Sequence, residues 1–160
     1  MNILTWHVHG SYLTSLAQIE HNWYLPVNPE GSPDMEGYIG RGNRSSLPGY
    51  VRDVPAEQVR NLDLDLILFQ SARNYQIDQY DILSEEQRRL PRIYLEHNTP
   101  RPHATDTRHI VDDPDMLIVH VTHYNRLMWD NNRTPAVVVE HSVAIDPAIR
   151  YTGEHPQGIT

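Results

Sequence analysis

The sequence predicts an α/β domain with a Rossmann-like, mainly parallel sheet flanked by helices. Three observations carry that expectation. A short apolar run at the start of the chain passes through a glycine into helical spacing. Strand-like segments then alternate with helix-like ones, the pattern of crossover-connected parallel strands. Polar and mostly imidazole-bearing residues recur where those strands end, and in open parallel sheets ligands bind beyond the strands' carboxyl ends.

The opening run, residues 2–8, is rich in strand formers and too short for a membrane span. His9-Gly10-Ser11 turns the chain, and Leu13, Leu16 and Ala17 follow at helical spacing over residues 12–18. Gly10 would let backbone N–H groups at the helix start approach a ligand, and Ser11 is expected to cap that helix. A plain tight turn explains the same glycine, because the other two glycines of a G-x-G-x-x-G fingerprint are missing.

Residues 23–27 read as a second strand, with Pro26 placing it near a sheet edge or end. Residues 28–49 carry eight glycines and prolines and almost no apolar periodicity, which marks a long loop. Two descriptions fit it: a floppy insertion, or a substrate-covering loop presenting Tyr38, Arg41 and Arg44. Residues 50–54 form a candidate short strand, and Pro55 opens a helical turn through Arg60. Residues 64–70 are the clearest buried strand, apolar enough to be covered on both faces. Ser84 and Gln87 stand at capping-box spacing for a helix over 84–90, which Pro91 ends. Strands at 92–96, 116–121 and 135–140 complete the sheet. A proline-stiffened loop over 97–103 follows the first of these, and Thr122 caps a helix through Tyr124, Leu127 and Met128 after the second.

Composition narrows the chemistry. The chain has no cysteine, hence no thiol nucleophile, disulfide framework or zinc ribbon. All thirteen basic residues are arginine, so a Schiff base and a Walker-type phosphate loop are excluded. A net charge of −8 with no basic stripe argues against nucleic acid as a partner. With no signal-peptide pattern and no apolar stretch near ~20 residues, a soluble cytoplasmic protein is expected.

The strand ends hold the candidate site. They are His7-Val8-His9-Gly10, Gln70-Ser71, Glu96-His97-Asn98, Thr122-His123 and Glu140-His141. In its order of elements nearly the whole chain resembles the N-terminal half of a GT-B-fold retaining glycosyltransferase of the large family numbered four. The residues that carry the resemblance are the first strand with Gly10, Leu95-Glu96-His97-Asn98, the run Leu117 to Thr122 ahead of a helix, and Val137 to Asp146. Ser142 stands where the family has glycine, and Ala144 is an extra residue before Asp146.

The resemblance implies transfer of a sugar from a nucleotide-sugar, as co-substrate rather than cofactor, with retention at the anomeric carbon. It implies that Gly10, Ser11, Thr122 and His141 lie along the donor's phosphate and sugar, and that His97 sits over the transferred sugar as the catalytic residue. His9, Tyr38, Arg41 and Arg101 would face the acceptor. No metal and no general base are implied. Residues 1–152 would be the Rossmann-like domain and 153–160 a tail or linker towards a C-terminal GT-B domain, supplied in cis or in trans. That second domain would bring most of the donor contacts, because this chain lacks the family's pair of glutamates eight positions apart. The face awaiting it leaves room for peripheral membrane contact or a homodimer.

Two other chemistries compete. His7-x-His9 after a strand is the pattern of a metal-dependent hydrolase, with His97, His120, His123 or a carboxylate as further ligands. A non-catalytic module binding sugar or a partner domain also fits. Asp112-Asp113-Pro114-Asp115 precedes a strand and reads as a capping turn. Ser71 lacks the flanking glycines of a nucleophile elbow.

Overall fold

The computed structural model describes residues 1–28, 37–42, 47–142, 148 and 152–154. Its elements in chain order are β1 (Asn2–Thr5), α1 (Gly10–Leu16), β2 (Asn22–Val27) and β3 (Val51–Pro55), followed by a 3-10 helix over Ala56–Asn61. Then come β4 (Leu66–Phe69), a π-helical turn at Asn74–Asp78 running into α2 (Gln79–Ile82), and a 3-10 turn at Gln87–Arg89. The remainder is β5 (Arg92–Glu96), β6 (Thr107–Arg108), β7 (Met116–His120), α3 (His123–Met128), β8 (Trp129–Asp130) and β9 (Ala136–Val138).

Seven strands form one sheet in the order β3-β2-β1-β4-β5-β7-β9, and every pairing in it is parallel. This is the doubly wound Rossmann order with one further strand, and its switch point lies between β1 and β4. Side chains alternate across the sheet, so adjacent residues enter different cores. Leu4, Ile67, Tyr94 and Ile118 join Val59, Ile82 and Leu83 on one face. Ile3, Leu68 and Leu95 join Leu13 and Ala17, from α1 and the residue that ends it, on the other. Both faces are covered, which is why β4 reads as an unbroken apolar run.

The switch point is stitched by polar side chains. Gln70, 2% exposed, donates through Nε2 to Thr5 Oγ1 (2.8 Å) and to the Trp6 carbonyl (2.9 Å). Thr5 Oγ1 donates in turn to the Leu68 carbonyl at 3.0 Å. Backbone groups buried between the ends of β1 and β4 thus have partners, and the two strand ends keep a fixed relation.

Several elements differ from expectation. The first strand stops at Thr5, since the His7 N–H bonds the Gly37 carbonyl (3.1 Å) instead of a neighbouring strand. α1 starts at Gly10 with His9 as its extended N-cap residue and no side-chain cap. Ser11 lies within the first turn and so cannot cap it, because a cap needs a non-helical backbone. Pro26 lies as expected, second from the end of β2, which neighbours the edge strand β3. The capping box forms reciprocally: Ser84 N–H donates to Gln87 Oε1 (3.0 Å) and Gln87 N–H to Ser84 Oγ (3.1 Å). Only one 3-10 turn follows it, since Gln87 Nε2 is drawn to the carbonyls of Val59 and Leu62 and Pro91 is close behind. Thr122 caps α3 as expected, accepting the Asn125 N–H at 3.0 Å. The β6–β8 pair, a separate two-stranded parallel ladder, was not expected.

Candidate functional site

Three strand ends deliver the crevice. The chain leaving β1 brings His9 and Gly10, the end of β5 brings His97 and Asn98, and the segment after β9 brings His141 and Ser142. Together with Val8, Ser11 and Tyr12 they line a crevice of about 510 Å³ at the carboxyl rim of the sheet. Ser15 Oγ donates to the Ser142 carbonyl at 2.9 Å, which ties the last of these segments to α1.

Four rings meet there. His97 lies 4.2 Å from His9 and 4.6 Å from Tyr12, centroid to centroid, both edge-on. His141 lies 4.9 Å from Tyr12, edge-on, and 5.8 Å from His97, roughly stacked. Burial, reinforced by His9 and His141, pushes the His97 pKa down to about 3. The ring is therefore neutral at physiological pH, and its buried Nε2 makes no hydrogen bond among the described residues. A neutral imidazole can offer one donor and one acceptor, so His97 is suited to hydrogen-bond a polar ligand rather than to act as a cation. Burial also raises the Tyr12 pKa, which keeps that hydroxyl protonated.

A second cavity of about 420 Å³ adjoins the crevice, and Asn98 lines both. It holds Glu96, His109, Trp129 and Arg101, with Tyr94 and Ser71. Glu96 Oε1 accepts the Asn98 N–H at 2.6 Å, and Oε2 pairs with His109 Nε2 at 3.1 Å. The Val111 N–H donates to His109 Nδ1 at 3.1 Å. That bond puts the proton of the neutral ring on Nε2, where it is donated to Glu96.

The structure brings together His9, Gly10, Ser11, His97 and His141, and sets Arg101 in the adjoining cavity. Three further candidates stand elsewhere. Tyr38 is 4% exposed and packs in the core that contains Trp6; burial lifts its pKa to about 12. Arg41 is tied to its own loop: its N–H donates to Asp53 Oδ1 (2.6 Å) and its guanidinium to the Leu47 carbonyl (2.5 Å). Thr122 is spent on capping α3 and lines neither cavity. The physical reason for the first two is shared: residues 37–42 fold back over the ends of β1 and β2, bridging Val27 to Ile39. Arg44 and the stretch 143–146 lie outside the described residues.

The pair His7-x-His9 does not form. β1 has ended before it, so strand alternation no longer aligns the two rings. His7, 6% exposed, bonds the Gly40 carbonyl through Nδ1 at 2.5 Å, while His9 enters the crevice. His120 is fully buried with Nε2 at 2.7 Å from Asn131 Oδ1, and burial lowers its pKa. Among the described residues no three histidine, aspartate or glutamate side chains gather as a metal-holding group. The Asp112–Asp115 stretch caps β7: Asp115 N–H donates to Asp113 Oδ1 (2.9 Å), and Arg92 and Arg133 engage Asp113 and Asp112. Ser71 Oγ accepts the Asn74 N–H at 3.2 Å.

Sequence reasoning missed Tyr12 in the crevice and the His109 and Trp129 side chains that join Glu96 beside it. Tyr12 is partly buried at the edge of the core that Leu13 enters and also lines the crevice, and its place in the first turn of α1, beside the His9-Gly10 turn, was the usable signal. For His109 and Trp129 the flanking alternation is too short to read as strands, and the two meet at the β6–β8 ladder, where the His109 N–H donates to the Asp130 carbonyl at 2.8 Å.

Fold and crevice together define the class: a Rossmann-like α/β domain with a crevice at the carboxyl rim of its sheet. No family model, no curated protein and no solved structure matches this chain. Among the described residues no helix is long and apolar enough to cross a membrane.

Proposed function

We propose that the chain is the acceptor-side half of a GT-B-type retaining glycosyltransferase, working with a nucleotide-sugar and a second, donor-binding domain. One observation carries this reading: His9, His97 and His141, from three separate strand ends, converge on one crevice with His97 held neutral. A neutral imidazole offers a sugar hydroxyl both a donor and an acceptor, and a crevice at this rim is where doubly wound sheets bind their ligands. In this scheme His97 orients the transferred sugar, and Gly10 and Ser11 face the donor's phosphates from the first turn of α1. Leaving-group charge is then met chiefly by cationic groups of the donor-binding domain. His9 stands against His97 and fixes its ring. Tyr38 and Arg41 have no part in it, given where they lie.

The test is nucleoside diphosphate release from UDP- and GDP-sugars by the natural polypeptide containing this chain, wild type against His97→Ala. Donor consumption in the wild type that falls at least ~100-fold in the variant, with an unchanged melting curve, supports the reading. Wild-type turnover in His97→Ala removes His97 from the site, and failure to consume any nucleotide-sugar refutes the transferase. A sugar-binding module without turnover would bind the donor in the crevice and never release nucleotide.

A further inference from the structure

We infer that the cavity between β5 and the β6–β8 ladder is a binding site for a neutral saccharide ring, the acceptor of the proposed transferase. The inference rests on that reading for the word acceptor; the chemistry of the ligand is read from the cavity itself.

The wall is a fixed aromatic. Trp129 donates its indole N–H to the Asn98 carbonyl at 3.0 Å, and His109 sets its ring edge-on against it at 5.2 Å. The indole is thus held in one orientation before any ligand arrives, which lowers the ordering cost of binding. Tyr94 also packs edge-on with His109, at 4.8 Å, and lines the cavity. The polar component is Glu96, 5% exposed. Its two oxygens hold about four lone-pair sites and accept one N–H each from Asn98 and His109, so acceptor capacity remains on both.

An aromatic wall beside an acceptor-rich carboxyl group suits a ligand with an apolar C–H face and hydroxyl donors on its edge. A sugar ring has both. Phosphate and carboxylate ligands are disfavoured, because the buried group they would meet is Glu96 and the cation here is a single exposed Arg101 at the rim. The volume of about 420 Å³ falls within the ~300–1,000 Å³ of small-molecule sites. Asn98 forms the shared wall with the His97 crevice, so a hydroxyl of a ring seated here can face that crevice.

Calorimetric titration of the 160-residue chain with methyl glycosides of glucose, galactose, mannose and N-acetylglucosamine tests this. Saturable binding of at least one glycoside is expected in or below the ~1 mM range. It should weaken at least ~10-fold in Trp129→Ala and in Ala72→Leu, which fills the cavity from an exposed position without touching its polar groups. Absence of binding by every glycoside overturns the inference, as does binding that both variants retain. Donor hydrolysis without acceptor separates the two proposals. A protein that consumes nucleotide-sugar yet binds no glycoside keeps the transferase and loses this site. One that binds glycoside through Trp129 but never consumes donor keeps the saccharide site and loses the transferase.

Discussion

Replacing His97 with Gln is expected to reduce the protein's acid sensitivity. In the folded chain burial and the neighbouring His9 and His141 rings hold the His97 pKa at about 3, against about 6.5 for an ordinary histidine. Between those values the unfolded chain binds a proton that the folded chain refuses. Stability therefore rises with pH across this window and is lost on acidification through the unfolded value. Integrating a single site of this kind from about pH 7 to about pH 5 gives a loss of about 2 kcal/mol. Solvent reaching the partly exposed ring screens some of this, so ~2 kcal/mol is the ceiling. The assay is urea unfolding of wild type and His97→Gln at both pH values, with the difference between the two proteins as the readout; other titrating groups cancel in it. A variant less acid-sensitive than the wild type by about 1–2 kcal/mol supports a neutral, desolvated His97. Equal losses in the two proteins would refute it, and with it the view that His97 meets its ligand uncharged.

Two stability predictions follow from the elements around the site. Gly37 sits at φ +89°, and a Cβ there would stand 2.9 Å from Trp6 Cβ. Gly37→Ala should cost at least ~1–2 kcal/mol, read as a drop of several degrees in melting temperature. An unchanged melting curve would mean that residues 37–42 do not pack over the end of β1. Thr122→Ala removes the hydroxyl that caps α3 and should cost about 1 kcal/mol in urea unfolding. No loss would show that the cap is not formed in solution.

The parallel α/β class, the strands over 92–96 and 116–121, the Thr122 cap and the 84–87 capping box were all legible in the sequence. Each rests on local chemistry: apolar runs bounded by polar residues, or an oxygen three residues ahead of an N–H that needs it. The convergence of His9, His97 and His141 was legible too, because a parallel sheet sends all its strand ends to one rim. Composition alone removed thiol, Schiff-base and Walker-loop chemistry.

Other features needed the folded chain. Tyr38 and Arg41 look like loop residues with functional side chains, yet the segment bearing them folds onto β1 and β2, burying the first and tying the second to Asp53 and Leu47. His7 parts from His9 because β1 runs out at Thr5, and where a strand stops is decided by its neighbours' register rather than by its own residues. The Glu96–His109–Trp129 cavity draws residues 33 positions apart through a ladder only two residues long per strand. Local pattern can specify an element that its own residues stabilise; it cannot specify one that exists only because distant parts of the chain meet there.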